Sequence, residues 1–171
     1  MLNNNYQLRK ATLVDANSIW KILADAIERR KTDGSAQWQD GYPNPTVIEN
    51  DINQGYGFVL LENNKIVGYC ALIINYEPAY EAIEGKWLSN QDFVVIHRVA
   101  IAQEQLGKGL AKKIMTEIEN YALQHHIFNI KADTNFDNLP MLHLFEKLGY
   151  SYCGEVYFRG SARKAFEKIL K

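Results

Sequence analysis

Cysteine is scarce in this chain: 171 residues carry only Cys70 and Cys153. Neither belongs to a CxxC pair or to a Cys/His ligand spacing, which argues against a disulfide framework, a thiol redox motif and a metal site. Each lies in a strand-like apolar stretch and reads as a buried free thiol of a reduced, cytoplasmic protein. Long apolar runs are missing as well. The longest, such as Cys70–Ile74, fall far short of the ~20 residues a bilayer span needs. The N-terminal MLNNNYQLRK lacks the apolar centre of a signal peptide. Nor is one charge in excess. A formal net charge of −1 gives no global field to hold nucleic acid or an anionic membrane. What is present is ordinary for a globular protein, with 47% hydrophobic and 23% charged residues. The length suits one domain spanning 1–171.

Periodicity orders the chain. Tyr6–Lys10 reads as a strand. Thr12 and Asp15 stand at the spacing of a capping box, followed by an apolar helical face of Ala16, Ile19, Trp20, Leu23 and Ile27. Residues 31–45 read as a loop, and Thr46 with Glu49 predicts a second cap with a short helix to about Gln54. Phe58–Glu62, a turn at Asn63-Asn64 and Ile66–Asn75 form a hairpin. Tyr76–Gln91 is irregular and rich in aromatics and glutamates. Asp92–Ile101 is apolar on both faces, as a covered central strand should be. A helix from Leu110 carries Ile114, Ile118 and Ala122 on one side, with His125 and His126 as its solvated tip. Phe128–Ala132 is a strand, Asn138–Leu148 a helix closed by Gly149, and Ser151–Phe158 a further strand, while Ala162–Leu170 suits either a strand or a helix and is read as a strand. The order predicts a mixed α/β domain: a mostly antiparallel twisted sheet of about seven strands flanked by about four helices.

The chemistry concentrates at Leu106-Gly107-Lys108-Gly109-Leu110-Ala111, between a buried strand and an amphipathic helix. Two glycines let the backbone turn tightly and come close to a ligand. The helix start adds unpaired N–H groups and the positive end of its dipole, which together suit a phosphate. A P-loop is excluded because no Ser or Thr follows Gly107-Lys108. A dinucleotide fingerprint is excluded because Lys112 stands where that motif needs a small residue. A purely structural glycine turn stays open at this point.

From Val99, Ala100 and Ile101 through Leu106–Ala111 and the helix that follows, the sequence resembles the pyrophosphate-binding motif of the GNAT superfamily of N-acetyltransferases. Residues 138–150, NLPMLHLFEKLGY, are similar to that family's later helix, and the element order agrees over residues 6–170. The resemblance implies acetyl-CoA as cosubstrate and no metal. It implies a cofactor site of Val99, Ala100, Ile101, Leu106, Gly107, Lys108, Gly109, Leu110, Ala111 and Lys112. To these it adds Asn138 on the pantetheine arm and Phe145 near the sulfur. Two residues depart from the pattern. Leu106 replaces the usual Arg or Gln, and Phe145 replaces a tyrosine that in many members protonates the departing thiolate.

Transfer to an amine needs the amine neutral, and an alkylammonium has a pKa near ~10.4, so a base must take its proton. His97 interrupts an otherwise apolar strand, where a polar group must find partners or be used. From the residues alone a hydrogen-bonded core histidine stays equally open. The resemblance implies a catalytic one, because some amine acetyltransferases of the superfamily place a histidine at this strand position. Arg98 points to the other face and reads as structural or ion-paired. Between Lys31 and Asp92 nine acids face three bases, whereas Phe93–Lys131 holds five bases and three acids. The acidic part suits a cationic small-molecule acceptor, with Trp38, Tyr42, Tyr80, Glu81 and Trp87 as candidate substrate-binding residues. These side chains read equally well as local core. The expected protein is a monomer or homodimer that takes neither nucleic acid nor membrane as partner. Two further readings are a protein N-terminal or lysine acetyltransferase, and a CoA-binding sensor without catalysis.

Overall fold

The computed structural model describes residues 5–171. Its strands are β1 (Tyr6–Lys10), β2 (Gly57–Glu62), β3 (Lys65–Ile74), β4 (Glu84–Gly85), β5 (Phe93–Ile101), β6 (Asn129–Thr134), β7 (Ser151–Phe158) and β8 (Ser161–Ile169). Its α-helices are α1 (Ala16–Thr32), α2 (Pro45–Asn53), α3 (Pro78–Glu81), α4 (Leu110–Gln124) and α5 (Leu139–Lys147). The eight strands form one sheet in the order β1-β2-β3-β5-β6-β8-β7-β4. Pairing is mostly antiparallel, with β5–β6 parallel. The strand and the helix beyond the expected numbers are short pieces, β4 and the single turn α3, inside the segment expected to be irregular. No described helix is long and apolar enough to cross a membrane.

The chain divides into two compact units. One comprises the described residues through Leu72 together with Arg98–Ile118, the other Ile73–His97 and Glu119–Lys171. In the first, Thr12 and Asp15 form the anticipated capping box, with the Thr12 N–H donating to Asp15 at 2.8 Å. Arg9 ties the same carboxylate from β1 at 2.8 Å. Helix α1 then buries Ile19, Ile22, Leu23 and Ala26 against Val59, Leu61 and Tyr69 of the β2–β3 hairpin. The hairpin turns through Asn63 and Asn64, both at positive φ, the conformation that right-twisted two-residue loops need. The second helix departs from expectation at its start. Asn44, not Thr46, is its cap and accepts from Val47 N at 3.1 Å, with Pro45 in the first turn. Proline is suited there because its missing N–H would have had no helical partner.

In the second unit, β8 lies between β6 and β7. Tyr80, Val95, Val156 and Ala165 form its buried cluster, with Trp87, Phe93 and Phe158 packed around it. Glycine makes the β4–β7 contact possible: a Cβ on Gly85 would stand 2.1 Å from the Cys153 carbonyl, and one on Gly154 2.2 Å from that of Glu84. Glu167, fully buried, accepts from Leu88 N at 2.6 Å. Lys131 lies over the Trp87 ring. These ties fix residues 76–91 to the sheet. Cys70 and Cys153 are buried free thiols, and burial pushes both upward in pKa.

Candidate active site

Each unit carries its own part of the predicted site. In the first, Gly107 and Gly109 both have φ of +77°, with nothing within 4 Å of where a Cβ would stand. The turn is therefore glycine for its left-handed backbone, and the space over it is open. The first helical bond of α4 runs from Lys113 N to Gly109 O at 3.1 Å. The amides of Leu110, Ala111 and Lys112 precede the helical ladder, as the first turn of any helix requires. Leu110 anchors the turn from below, whereas Leu106, Lys108 and Lys112 are exposed. Lys108 rests on Gln105 at 3.1 Å. An exposed glycine turn leading into a fifteen-residue helix has the form of an anion-binding turn.

Just upstream, Arg98 sits at φ +55° in mid-strand, a local break of the kind that re-aims side chains. Its guanidinium forks onto Asp51 of α2, Nε to Oδ2 at 2.8 Å and Nη2 to Oδ1 at 2.5 Å. Tyr69 donates to the same carboxylate at 2.6 Å, and Arg98 also donates to the Tyr42 hydroxyl. Burial disfavours the Arg98 charge, but Tyr42 and Asp51 carry its pKa above the usual arginine range. The ion-paired reading of Arg98 holds. Tyr42 is part of this network, and Trp38 packs partly buried against the first core. Val99 is half-buried, and Ala100 and Ile101 are buried on β5.

In the second unit the parallel pairing of β5 with β6 ends at Ile96↔Ala132. His97 and Asp133 follow immediately. His97 Nε2 meets Glu77 Oε2 at 2.7 Å, and its Nδ1 lies 4.0 Å from Asp133 Oδ1. The other oxygen of Glu77 caps α3 by accepting from Ala79 N at 3.3 Å, so one carboxylate both starts the turn and holds the imidazole. An ionised Glu77 fixes the proton on Nε2 and leaves Nδ1 as the basic nitrogen. Burial raises the Asp133 pKa, opposed by the His97 charge and by Tyr80, whose hydroxyl donates to Asp133 at 2.5 Å. Tyr80 is 2% exposed and packs beside Trp87, His97 and Phe158. Tyr80 and Trp87 therefore back the histidine as core, and Glu81 is exposed.

Asn138 caps α5 through Met141 N at 3.3 Å. Phe145 is buried between Tyr150 and Phe166, with ring centroids 5.2 and 4.8 Å away. Tyr150 is buried with it, which pushes its phenol upward in pKa, whereas Tyr152 is exposed rather than core. Sequence reasoning counted Glu77 among the acids that suit a cationic acceptor, without a tie to His97, and passed over Asp133. Neither residue stands at a motif spacing from His97.

Among known proteins, the sequence profile of the acetyltransferase (GNAT) family matches residues 20–150. The chain belongs to that family of acyltransferases. A GNAT-family acetyltransferase from Streptococcus agalactiae is 36% identical, with a TM-score of 0.89 over 99% of both chains. One from Listeria monocytogenes, 18% identical, shares the fold with a TM-score of 0.77 over 96% of this chain and 95% of its own. The L-2,4-diaminobutyric acid acetyltransferase of Halalkalibacterium halodurans is 24% identical over 70% of this chain. The aligned region spans 61% of that relative's length.

Proposed function

We propose that this protein moves the acetyl group of acetyl-CoA to the primary amine of a small cationic molecule, by direct attack while both are bound. The 2.7 Å contact of Glu77 with His97 carries this reading. It is a carboxylate-oriented imidazole at the point where β5 and β6 stop pairing. Acetyl-CoA supplies an activated thioester. The Leu106–Lys112 turn takes its diphosphate through backbone amides, and Asn138 and Phe145 lie on the helix that family resemblance assigns to the pantetheine arm. His97 accepts the amine proton at Nδ1, and Glu77 compensates the charge the ring gains. The exposed Glu81 and Glu84 give the neighbouring segment a field favourable to an ammonium. A CoA thiol, like cysteine, titrates near ~8.5 and leaves without a tyrosine at position 145.

The test is His97→Ala, assayed by release of free thiol across an amine panel. Removing a general base lowers kcat/KM by about 10²–10⁴-fold near neutral pH. Activity should recover toward alkaline pH, where free amine is abundant. A folded variant with the parental pH–rate profile would remove His97 from proton transfer. A parent that binds acetyl-CoA yet releases no thiol with any amine would be a sensor rather than an enzyme.

A further inference from the structure

Arg163 is a poorly satisfied charge in the second unit. It lies on β8, 8% exposed, and its buried Nε has no hydrogen-bond partner. Among the described residues its guanidinium makes no hydrogen bond. Its contacts are a loose approach of Nη1 to Asp133 Oδ2 at 3.9 Å and a position over the Phe158 ring at 5.5 Å. A guanidinium has five donors in a planar fork, and buried polar groups are normally satisfied. The neighbours that face it place it beside His97. Asp133 reaches His97 with one oxygen and Arg163 with the other. Phe158 has its ring 5.9 Å from His97 and edge-on to it. The side chains of His97, Glu77 and Arg163 keep 13%, 14% and 10% exposure, so none of the three is sealed from solvent. Asp133 itself is spoken for by Tyr80.

We propose that Arg163 binds a carboxylate carried by the acceptor, so that the substrate class is an amino acid or similar amine-bearing acid. This rests on the reading of His97 and Glu77 as the amine end of the site. Glu77 then faces the ammonium, and the Arg163 fork takes the anion in the bidentate geometry that guanidinium and carboxylate share. Asp133 stands between the two ends and limits their separation. From His97 Nδ1 to Arg163 Nη1 can be no more than ~10 Å across one carboxylate. The span suits an amine and an acid a few bonds apart and excludes long polyamino chains bound end to end.

The experiment compares two amines that differ by one carboxylate, 2,4-diaminobutyrate and 1,3-diaminopropane, in the parent, Arg163→Gln and Arg163→Lys. The ratio of their kcat/KM values is one readout. Thermal stabilisation by each amine alone is the other, and it does not depend on turnover. Charged hydrogen bonds of this kind are worth roughly ten- to hundredfold. The parent should favour the acid by that factor, R163Q should bring the ratio close to one, and R163K should recover part of it. In the thermal assay only the parent and R163K should respond to the acid. Equal handling of both amines by the parent overturns the proposal. So does a folded R163Q or R163K that loses both amines equally, since Arg163 is then structural. The amine-end reading fails separately: His97→Ala would leave rate and pH profile unchanged while the acid still stabilised the parent.

Discussion

Asp51 offers the sharpest test of the physical argument. It is 2% exposed and accepts from Arg98 Nε, Arg98 Nη2 and Tyr69. In Asp51→Asn one oxygen is replaced by an NH₂ that points its hydrogens at a guanidinium or phenol, both donors there. Arg98 keeps its charge in a site where only a tenth of its side chain is exposed. Removing one partner of a buried pair costs about 3–5 kcal/mol, because the other is left uncompensated. That residual exposure lets water reach Arg98, which favours the lower end, near 3 kcal/mol. For a domain of this size each kcal/mol moves Tm by about 2–4 °C, so a fall of about 6–12 °C is expected. Thermal and urea denaturation at neutral pH measure it. Arg98→Met alone should also destabilise, and the double variant with Asp51→Leu should lose less than the two singles combined. A fall in Tm below about 3 °C with an unchanged urea slope would refute the reasoning. The pair would then be effectively solvated, and the positive φ of Arg98 would be held by something else.

Two other outcomes follow from the same structure. Gly109→Val forces a β-branched residue to φ +77°, where L side chains are strained. Acetyl-CoA affinity measured by calorimetry should fall more than tenfold, and parental affinity would dissociate the turn from cofactor binding. The Arg9 hydrogen bond holds Asp15 below the carboxylate range, at about 2, against the cost of its burial and with help from the Thr12 amide. A lowered folded pKa gives stability that is present above the unfolded value and lost as pH falls through the folded one. The stability gap between the parent and Asp15→Asn should therefore be constant above about pH 5 and close between pH 4 and 2. A gap that persists at pH 2 would show that charge is not its source.

Local grammar carried the sequence reading as far as it went. The Thr12/Asp15 box, the Asn63-Asn64 turn and the 110–122 helical face each encode their shape within a few neighbours, and each formed as expected. Family resemblance and the glycine turn pointed to a cofactor half within the sequence. The contacts around His97 were not legible, because they join residues far apart in sequence. Glu77 meets His97 across twenty residues, and Asp133 and Arg163 sit in strands beside other polar and charged residues, Lys131, Thr134 and Lys164, that gave no reason to single them out. Tyr80 and Trp87, candidates for a pocket that read equally well as local core, pack in the core cluster of the second unit. Tyr80 and Trp87 have enough surface to fill a core, and their polar tips found partners within it. The left-handed backbone at Arg98 had no sequence signature, since arginine has no preference for it.

The place of β8 has a consequence for how the molecule comes into being. Although Ser161–Ile169 is the last strand in sequence, it lies between β6 and β7. During synthesis both of those strands wait with an open edge until residue 161 and its successors emerge. Open edges are templates for pairing with other chains, and domains assemble as their parts emerge. Arg163 and Glu167 arrive on that same inserting strand. The residue proposed to read the acceptor and the one that pins down the 76–91 segment thus appear only when the sheet closes. A nascent chain stalled short of this point would present two open strand edges and lack both residues, which makes aggregation its main hazard.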